Sequence, residues 1–338
     1  MRNLTQSEVI ARLAELERAV ILFHVRPDGD AVGSAFALRR ALALRGADVW
    51  CVCAHRLPDR LAFLCDAEEE QESVLPDALP ERFADAPVIT VDTASPAQMG
   101  DAGVQFLPRI VLMIDHHGSG EPYADHYILP DASATGEVLM PILAALCGGD
   151  EFDPLVAARL FAAITSDTGC FKYSNASPAT HRAAAALIEN GMSVPADEIN
   201  RLLFDRKTAG TLAAEQIALR NLRTFADGRV VVSTLSHDER ISAGLMTEDT
   251  DTMIDAIRVL DGAQIACMLK QQEPHQNKPG VWRASLRSTG IDVAAIAACF
   301  GGGGHIRAAG CSITAETAEE AVEKIVGFCP TPCNGSFF

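Results

Sequence analysis

The sequence predicts an α/β protein with two domains: an N-terminal, mainly parallel sheet flanked by helices, and a smaller C-terminal α/β domain. Apolar, β-branched runs alternate with helical stretches through the first half, which is typical of a parallel sheet covered on both faces. The chain has 338 residues, enough for two hydrophobic cores. A turn-rich break at residues 190–195 separates this half from a second series of strands and helices.

The elements follow in order from a capped amphipathic helix within the first twenty residues. The strands expected in the first half are residues 19–25, 49–53, 88–91 and 110–114. The helices expected there are residues 30–45, 135–146, 154–164 and 179–189, with a helical connector over 197–203. The second half is expected to contain helices at 213–222, 252–260, 293–299 and 318–328, and strands at 229–235, 263–269 and 281–287.

Composition and charge limit the classes of function. The 48% apolar and 22% charged content is that of a globular protein, and the net charge is −17. Residues 1–200 contain 14 Lys and Arg against 29 Asp and Glu, whereas residues 201–310 contain 13 against 12. Binding along a nucleic acid duplex needs many basic contacts, so a long duplex is excluded as a partner and short phosphorylated ligands remain.

The cellular location is expected to be the reducing cytoplasm. The ten cysteines show no paired CxxC zinc pattern and no disulfide framework. The N-terminal residues lack the apolar core of a signal peptide, and no apolar run approaches membrane-spanning length. We therefore expect no membrane partner.

Four short strings place carboxylates and imidazoles at the ends of apolar segments. They are HVRPDGD at 24–30, VD at 91–92, DHH at 115–117 and SDTG at 166–169. The first three lie at the carboxyl ends of predicted strands, which is where parallel sheets bind their ligands. Taken singly, Asp28 and Asp30 are typical of a turn, Asp92 of a helix cap, and His116 with His117 of a surface pair. Together they indicate a metal centre.

The charge of these carboxylates predicts two divalent cations. Asp28, Asp30, Asp92 and Asp167 would contribute four negative charges to one pocket, which two such ions neutralise. Two adjacent ions can bind a phosphate and lower the pKa of a water molecule, which is the chemistry of a phosphoesterase. Mixed imidazole and carboxylate ligands favour Mn²⁺ or a similar transition ion over Mg²⁺ or Ca²⁺.

The strings HVRPDGDAVGS, VDTAS, IDHHGS and SDTG, in this order, resemble the four motifs of the DHH phosphoesterase superfamily. The resemblance implies that His24 and Asp28 hold one metal ion and that Asp30, His116 and Asp167 hold the other. Asp92 is the implied bridging ligand, with a catalytic role. His117 is implied to contact the scissile phosphate as a catalytic residue, while Asp115 orients the imidazoles from behind.

The C-terminal half resembles the DHHA1 domain through SLRS at 285–288, FGGGGH at 300–305 and AAG at 308–310. A glycine run can donate several N–H groups to an anion, and an Arg fork suits a terminal phosphate. A flexible loop and a solvated strand charge are the alternatives for these features. The residues expected to bind substrate are Arg287, Ser288, Gly302, Gly303, Gly304, His305 and Lys172.

Both domains together resemble the NrnA-type DHH proteins, with a DHH domain at 1–190, a helical linker at 191–207 and a DHHA1 domain at 208–330. The resemblance implies hydrolysis of short RNA oligonucleotides (nanoRNA) to mononucleotides and dephosphorylation of pAp to AMP, by a water activated between two Mn²⁺ ions. A homodimer is consistent with it. The alternatives are a cyclic-di-AMP or pApA phosphodiesterase and, from another class, a non-catalytic nucleotide-binding regulator.

Overall fold

The chain folds into two compact units, Met1–Arg206 and Lys207–Phe338, in the computed structural model. The structure describes residues 1–65, 74–118, 120–149, 151–273 and 280–329. Each unit contains a sheet with helices, so the predicted α/β class is confirmed. The domain limits at residues 190, 207 and 330 remain a proposal.

The first unit is built on a five-stranded sheet in the order β2-β1-β3-β4-β5. Every pair of neighbouring strands is parallel. The strands are β1 (Arg18–Leu22), β2 (Asp48–Val52), β3 (Val88–Val91), β4 (Ile110–Asp115) and β5 (His126–Ile128). Because β1, β3 and β4 are adjacent and parallel, the residues that follow them meet at one edge of the sheet.

The helices of the first unit begin with α1 (Gln6–Ala14), where Thr5 and Glu8 form a capping box. The others are α2 (Gly29–Leu44), α3 (Gly100–Val104), α4 (Thr135–Cys147), α5 (Pro154–Asp167), α6 (Pro178–Asn190) and α7 (Ala196–Asn200). A π-helical turn, Arg201–Asp205, extends α7. Buried side chains of α2, α4 and α5 join those of the sheet in the main core.

Two glycines bring α2, α4 and α5 close together. A Cβ at Gly33 would lie 2.5 Å from the carbonyl oxygen of Arg159, and one at Gly136 would lie 2.5 Å from the Cβ of Ala163. Only glycine allows backbones to approach so closely. Since Asp30 lies in the first turn of α2, Thr135 starts α4 and Asp167 ends α5, this packing places three motif segments side by side.

The second unit has a mixed six-stranded sheet in the order β10-β11-β9-β8-β7-β6. Strands β7 and β8 are parallel and the other pairs are antiparallel. The strands are β6 (Arg223–Phe225), β7 (Val230–Leu235), β8 (Ile265–Gln271), β9 (Val281–Ser288), β10 (Gly303–His305) and β11 (Ala308–Thr314). The helices are α8 (Ala209–Arg220), α9 (His237–Ser242), α10 (Met253–Ile257), α11 (Val293–Ala298) and α12 (Ala318–Phe328).

The observed elements depart from the predicted ones mainly at their ends. Strand β1 ends at Leu22 because the chain then turns: the N–H of Val25 donates to Gln98, and Arg26 takes a φ of +53°. Helix α8 starts four residues before the prediction, where Thr208 caps it. The four strands that were not predicted, β5, β6, β10 and β11, are short or contain glycine, which weakens a strand signal.

Candidate metal centre

The carboxyl edge of the parallel sheet brings the first three motifs together. His24 comes two residues after β1, Asp92 directly follows β3, and Asp115 is the last residue of β4. The fourth motif arrives from the helix layer, because Asp167 is the last residue of α5. The prediction that these motifs share one edge is therefore supported by the geometry.

Asp92 lies at the middle of the cluster. It is almost fully buried, and its φ of +52° turns the chain at the end of β3. Its Oδ2 lies 3.3 Å from Nε2 of His24. Its Oδ1 lies 3.7 Å from Nε2 of His116 and 3.6 Å from Nδ1 of His117. The two oxygens of the Asp92 carboxylate thus lie near different imidazoles.

The cluster divides into three overlapping groups whose donor atoms lie within 4.8 Å of one another. The first is His24, Asp28 and Asp92; the second is Asp30, His116 and Asp167; the third is Asp92, Asp115, His116 and His117. The first two groups coincide with the two ligand sets implied by the motifs. Each has the imidazole and carboxylate donors that a divalent transition ion takes.

The imidazoles of His24 and His116 have the orientation of metal ligands. Nδ1 of His24 lies 2.9 Å from the carbonyl oxygen of Val25, and Nδ1 of His116 lies 3.2 Å from that of Ala132. A backbone carbonyl at Nδ1 fixes the tautomer that leaves Nε2 as an electron-pair donor. Nε2 of His116 is buried without a hydrogen-bond partner among the described residues, although Asp167 Oδ2 is 3.2 Å away. A cation would satisfy this nitrogen.

His117 is held differently from these two imidazoles. Its Nδ1 lies 2.7 Å from Oδ1 of Asp115, and the same oxygen accepts the backbone N–H groups of His116 and His117. Asp115 is fully buried. These contacts support the expected roles, with Asp115 as the orienting carboxylate and Nε2 of His117 as the nitrogen that would face substrate.

Asp28 and Asp30 lie at the start of α2. Asp28 is its N-cap residue and Asp30 is in its first turn. Oδ1 of Asp28 accepts the N–H groups of Asp30 and Ala31, so Asp28 is the N-cap of α2 as well as a candidate ligand. Asp30 is fully buried and accepts the hydroxyl of Ser34 at 2.8 Å. Asp167 completes its group with an Oδ2 close to Nε2 of His116.

In the metal-free cluster, neighbouring carboxylates raise the pKa values of two buried histidines. Burial alone would lower the pKa of His24, but the hydrogen bond to Asp92 and the charges of Asp28 and Asp92 raise it to about 10. Burial is likewise outweighed at His116, whose pKa is raised to about 10 by Asp167, Asp30 and Asp92. Without metal, each of these two candidate ligand imidazoles therefore binds a proton where it would otherwise bind a cation.

The carboxylates of the cluster are shifted in opposite directions. Burial and neighbouring negative charge raise the pKa of Asp30 well above its usual range and that of Asp167 to about 6. The pKa of Asp92 is lowered instead, because the hydrogen bond to His24 and the charges of the three imidazoles outweigh its burial. Asp92 is therefore the carboxylate that stays ionised at the centre.

Three polar residues at the centre were not predicted. The hydroxyl of Ser34 contacts Asp30, that of Ser166 accepts the N–H of Gly29, and Thr135 contacts both Asp30 and Asp92. The sequence pattern identifies Thr135 as the first residue of the helix expected at 135–146. The sequence did carry a signal, because Ala134 precedes this helix where a capping side chain is usual.

Lys172 lies beyond the fourth motif, in a segment with unusual backbone. Gly169, Cys170 and Phe171 all take positive φ values between +55° and +60°. The Lys172 side chain is exposed, and its ammonium lies 5.9 Å from the centre of the Phe204 ring. Its expected role in substrate binding remains a proposal.

In the second unit, β-strand register groups the residues expected to bind substrate. Arg287 of β9 pairs with Ala308 of β11, which pairs in turn with His305 of β10. The side chain of His305 lies outside what the structure describes. The hydroxyl of Ser288 donates to the carbonyl groups of Ile291 and Ile306, so it is engaged within its own unit.

The glycine run forms an edge strand rather than an open loop. Gly303–His305 pairs with β11 at one end of the sheet. A Cβ at Gly302 or Gly304 would lie 2.2 Å or 2.5 Å from a carbonyl oxygen of β11, whereas Gly303 has open space. Close strand pairing therefore accounts for Gly302 and Gly304, and an anion-binding role of the run remains a proposal.

In the part of the chain that the structure describes, no helix is both long enough and apolar enough to cross a bilayer.

Comparison with known proteins decides the family. The model of the DHH family, N-terminal domain, matches residues 18–164, and that of the DHHA1 domain matches residues 227–329. The bifunctional oligoribonuclease and PAP phosphatase NrnA of Thermus thermophilus is 30% identical over 326 residues, which cover 94% of this chain and 93% of that protein. The chain belongs to the DHH family.

Two further known proteins are similar to this chain. The crystal structure of an exopolyphosphatase-related protein from Bacteroides fragilis has a TM-score of 0.84 at 22% identity, over 96% of this chain and 94% of that one. This likeness confirms the fold. The cyclic-di-AMP phosphodiesterase PdeA of Listeria monocytogenes is 23% identical over 93% of this chain but only 47% of its own length.

Proposed function

We propose that this DHH-family protein is a metal-dependent phosphoesterase that hydrolyses short RNA oligonucleotides to mononucleotides and dephosphorylates pAp to AMP. The observation that carries the proposal is the placement of Asp92 between two donor groups, His24 with Asp28 and Asp30 with His116 and Asp167. Similarity to NrnA over 94% of the chain supports the choice of substrates.

The two groups would each hold one Mn²⁺ ion, with Asp92 shared between them. The mixture of imidazole nitrogen and carboxylate oxygen favours Mn²⁺ over Mg²⁺ or Ca²⁺. When bound, the ions would neutralise phosphate oxygens and lower the pKa of a water nucleophile.

The protein would act in the cytoplasm, and a homodimer is consistent with the proposal.

His117 and Asp115 would perform the proton chemistry of the reaction. Asp115 engages Nδ1 of His117 at 2.7 Å, which fixes the ring and would leave Nε2 to face substrate. A proton held at Nε2 would hydrogen-bond the scissile phosphate and pass to the leaving oxygen as the P–O bond breaks. This contribution by a positioned imidazole is typical of general acid catalysis.

Residues of the second unit would supply substrate recognition. Arg287 has the planar fork that binds a terminal phosphate in two hydrogen bonds, and its directly opposite residues on the neighbouring strands are the small Ala266 and Ala308. The backbone N–H groups of Gly302, Gly303 and Gly304, with Ser288, His305 and Lys172, are the remaining candidates. Recognition of a terminal phosphate would favour short substrates over a long duplex.

A cyclic-di-AMP or pApA phosphodiesterase is the second candidate function. Similarity to PdeA over 93% of this chain favours it, because the same metal centre would cleave a cyclic dinucleotide. The 47% coverage of PdeA makes it the weaker match, since NrnA is covered over 93% of its length.

The proposal is tested by removing and restoring metal. Protein stripped with a chelator should release no phosphate from pAp, and Mn²⁺ should restore release. Asp92→Ala should lose both metal content and activity, whereas Asp85→Ala, which changes an exposed carboxylate of the same unit, should lose neither. Full metal content and normal activity in Asp92→Ala would exclude the shared-ligand assignment, and metal-independent hydrolysis would exclude the mechanism.

A further inference from the structure

The N-terminus of α4 is capped by a residue from another part of the chain. Ala134 at the N-cap position provides no side-chain hydrogen bond, so the first N–H groups of α4 need another partner. Asp30 supplies it: Oδ2 accepts the N–H of Thr135 at 2.7 Å, and Oδ1 accepts that of Gly136 at 3.0 Å. A candidate metal ligand therefore serves as the missing cap.

Thr135 also contacts the second important carboxylate. Its hydroxyl donates to Oδ1 of Asp92 at 3.1 Å, and Thr135 is fully buried. Inside a helix a Thr hydroxyl commonly bonds to the carbonyl three or four residues back. Thr135 is the first residue of α4, where that preceding turn is missing, so its hydroxyl is available to Asp92.

Helix packing fixes the position of these donors. Gly136 lets α4 approach α5 so closely that a Cβ would lie 2.5 Å from that of Ala163. The backbone of Thr135 therefore has little room to move. Its N–H and hydroxyl therefore have fixed positions relative to two carboxylates. Asp30 belongs to one donor group, and Asp92 lies in the other.

We propose that Thr135 is a positioning residue that sets the spacing of the two metal sites by holding Asp30 and Asp92 at once. This inference rests on the proposed two-metal function. Asp30 Oδ1 accepts both the Ser34 hydroxyl and the Gly136 N–H, whereas Oδ2 accepts the Thr135 N–H, so Oδ2 is the oxygen through which Asp30 would bind a cation. The hydroxyl of Thr135 orients Asp92 in the same way that outer hydrogen bonds orient ligands in other metal sites.

The test compares Mn²⁺ binding by metal-free wild type, Thr135→Val and Thr135→Ser. Thr135→Val keeps the branched shape and removes the hydroxyl, so Mn²⁺ affinity should fall by about 10- to 100-fold in calorimetric titration. Thr135→Ser keeps the hydroxyl and should bind like wild type. Thr165→Val is the matched control, because Thr165 is buried on α5 and its hydroxyl has no partner among the described residues.

A second readout separates positioning from a merely structural role. At saturating Mn²⁺, the spin-coupled electron paramagnetic resonance signal of adjacent ions should change in Thr135→Val and not in Thr135→Ser or Thr165→Val. The rise in melting temperature on adding Mn²⁺ should also shrink in Thr135→Val, since ligand stabilisation follows affinity. A structural role would instead lower the melting temperature of the metal-free and loaded forms equally.

The outcomes distinguish this proposal from the proposed function. Wild type that binds no pair of Mn²⁺ ions would overturn both. Wild type that binds two ions, together with Thr135→Val that shows unchanged affinity and an unchanged signal, would overturn the positioning role alone. If Thr135→Val does not fold, Thr135→Ala removes the same hydroxyl with a smaller side chain and must show the same loss of affinity.

Discussion

Asp92 meets three requirements of a carboxylate shared between two ions. It is almost fully buried, so bulk water does not compete for its oxygens. Its φ of +52°, a conformation that Asp tolerates better than most residues, turns the carboxylate into the cluster. Its two oxygens lie near different imidazoles, His24 on one side and His116 on the other.

His117→Ala should separate catalysis from metal binding. Because Nδ1 of His117 is engaged by Asp115, its role is predicted to be proton transfer to substrate rather than ligation. Turnover of pAp should fall by about 10²- to 10⁴-fold while bound metal, measured by mass spectrometry, stays at the wild-type level. Equal losses of turnover and metal would show that His117 is a ligand.

Metal binding should release protons. The raised pKa values of His24 and His116 in the metal-free protein, each to about 10, mean that both imidazoles are protonated at pH 7.5. Their contribution to the stability of the metal-free form is complete below pH 6.5 and is lost as pH rises through about 10. Mn²⁺ must displace these protons, so its affinity should increase with pH over this window.

Calorimetry in buffers of different ionisation enthalpy measures this release directly. At pH 7.5 the observed binding enthalpy should vary with the buffer, in proportion to the number of protons released. The melting temperature of the metal-free protein should fall between pH 7.5 and pH 10 more than that of the loaded protein. A binding enthalpy independent of the buffer would contradict the predicted release of protons on metal binding.

Close packing of α2, α4 and α5 determines where the candidate metal ligands lie. Gly33 of α2 lies against the backbone of α5, and Gly136 of α4 lies against Ala163 of the same helix. These contacts bring Asp30, Thr135 and Asp167 into one region, although they come from three helices.

Gly33→Ala should therefore destabilise the protein. In an open helix the change would stabilise by about 0.5–1 kcal/mol, but here the new Cβ would lie 2.5 Å from the carbonyl oxygen of Arg159. Relieving such overpacking costs about 1–3 kcal/mol, so the free energy of unfolding should decrease in urea denaturation. Gly149→Ala is the control and should change stability little, because no described residue other than its chain neighbours has an atom within 4 Å of the new Cβ. A stabilised Gly33→Ala would show that the helices are less tightly packed than the structure indicates.

The sequence predicted the helices and strands well where the signal was local. Continuous apolar strands and the helix that starts beside Asp28 were readable because their patterns lie within a few residues. The contacts of Thr135 were not, since its partners Asp30 and Asp92 are 105 and 43 positions away. The edge strand Gly303–His305 was also missed, because glycine has no strand propensity and its pairing with β11 is a tertiary contact.

The two units differ in their charge and in their candidate roles. Among the residues that the structure describes, all three candidate metal groups lie in the first unit, where acidic residues outnumber basic ones. The second unit contains Arg287 and the glycine run, in a stretch of nearly balanced charge. This distribution predicts that metal binding and substrate recognition can be altered separately.

Arg287→Ala should raise the KM for pAp without changing Mn²⁺ affinity. Loss of a charge-assisted hydrogen bond to phosphate corresponds to about a 10- to 100-fold increase in KM. Arg287→Lys keeps the charge without the planar fork and should be intermediate. Arg220→Ala, which removes an exposed Arg that pairs with Glu239 in the same unit, is the control. An unchanged KM in Arg287→Ala would remove Arg287 from the substrate site.

A competition among substrates tests the proposed activity of the protein. The Mn²⁺-loaded protein is incubated with equal concentrations of pAp, pApA and cyclic-di-AMP, and the three are followed by chromatography. We expect rapid conversion of pApA and pAp to AMP while cyclic-di-AMP remains. Preferential loss of cyclic-di-AMP would contradict the proposed substrates while leaving the metal centre intact, and no loss of any of the three would contradict hydrolysis of these phosphate esters itself.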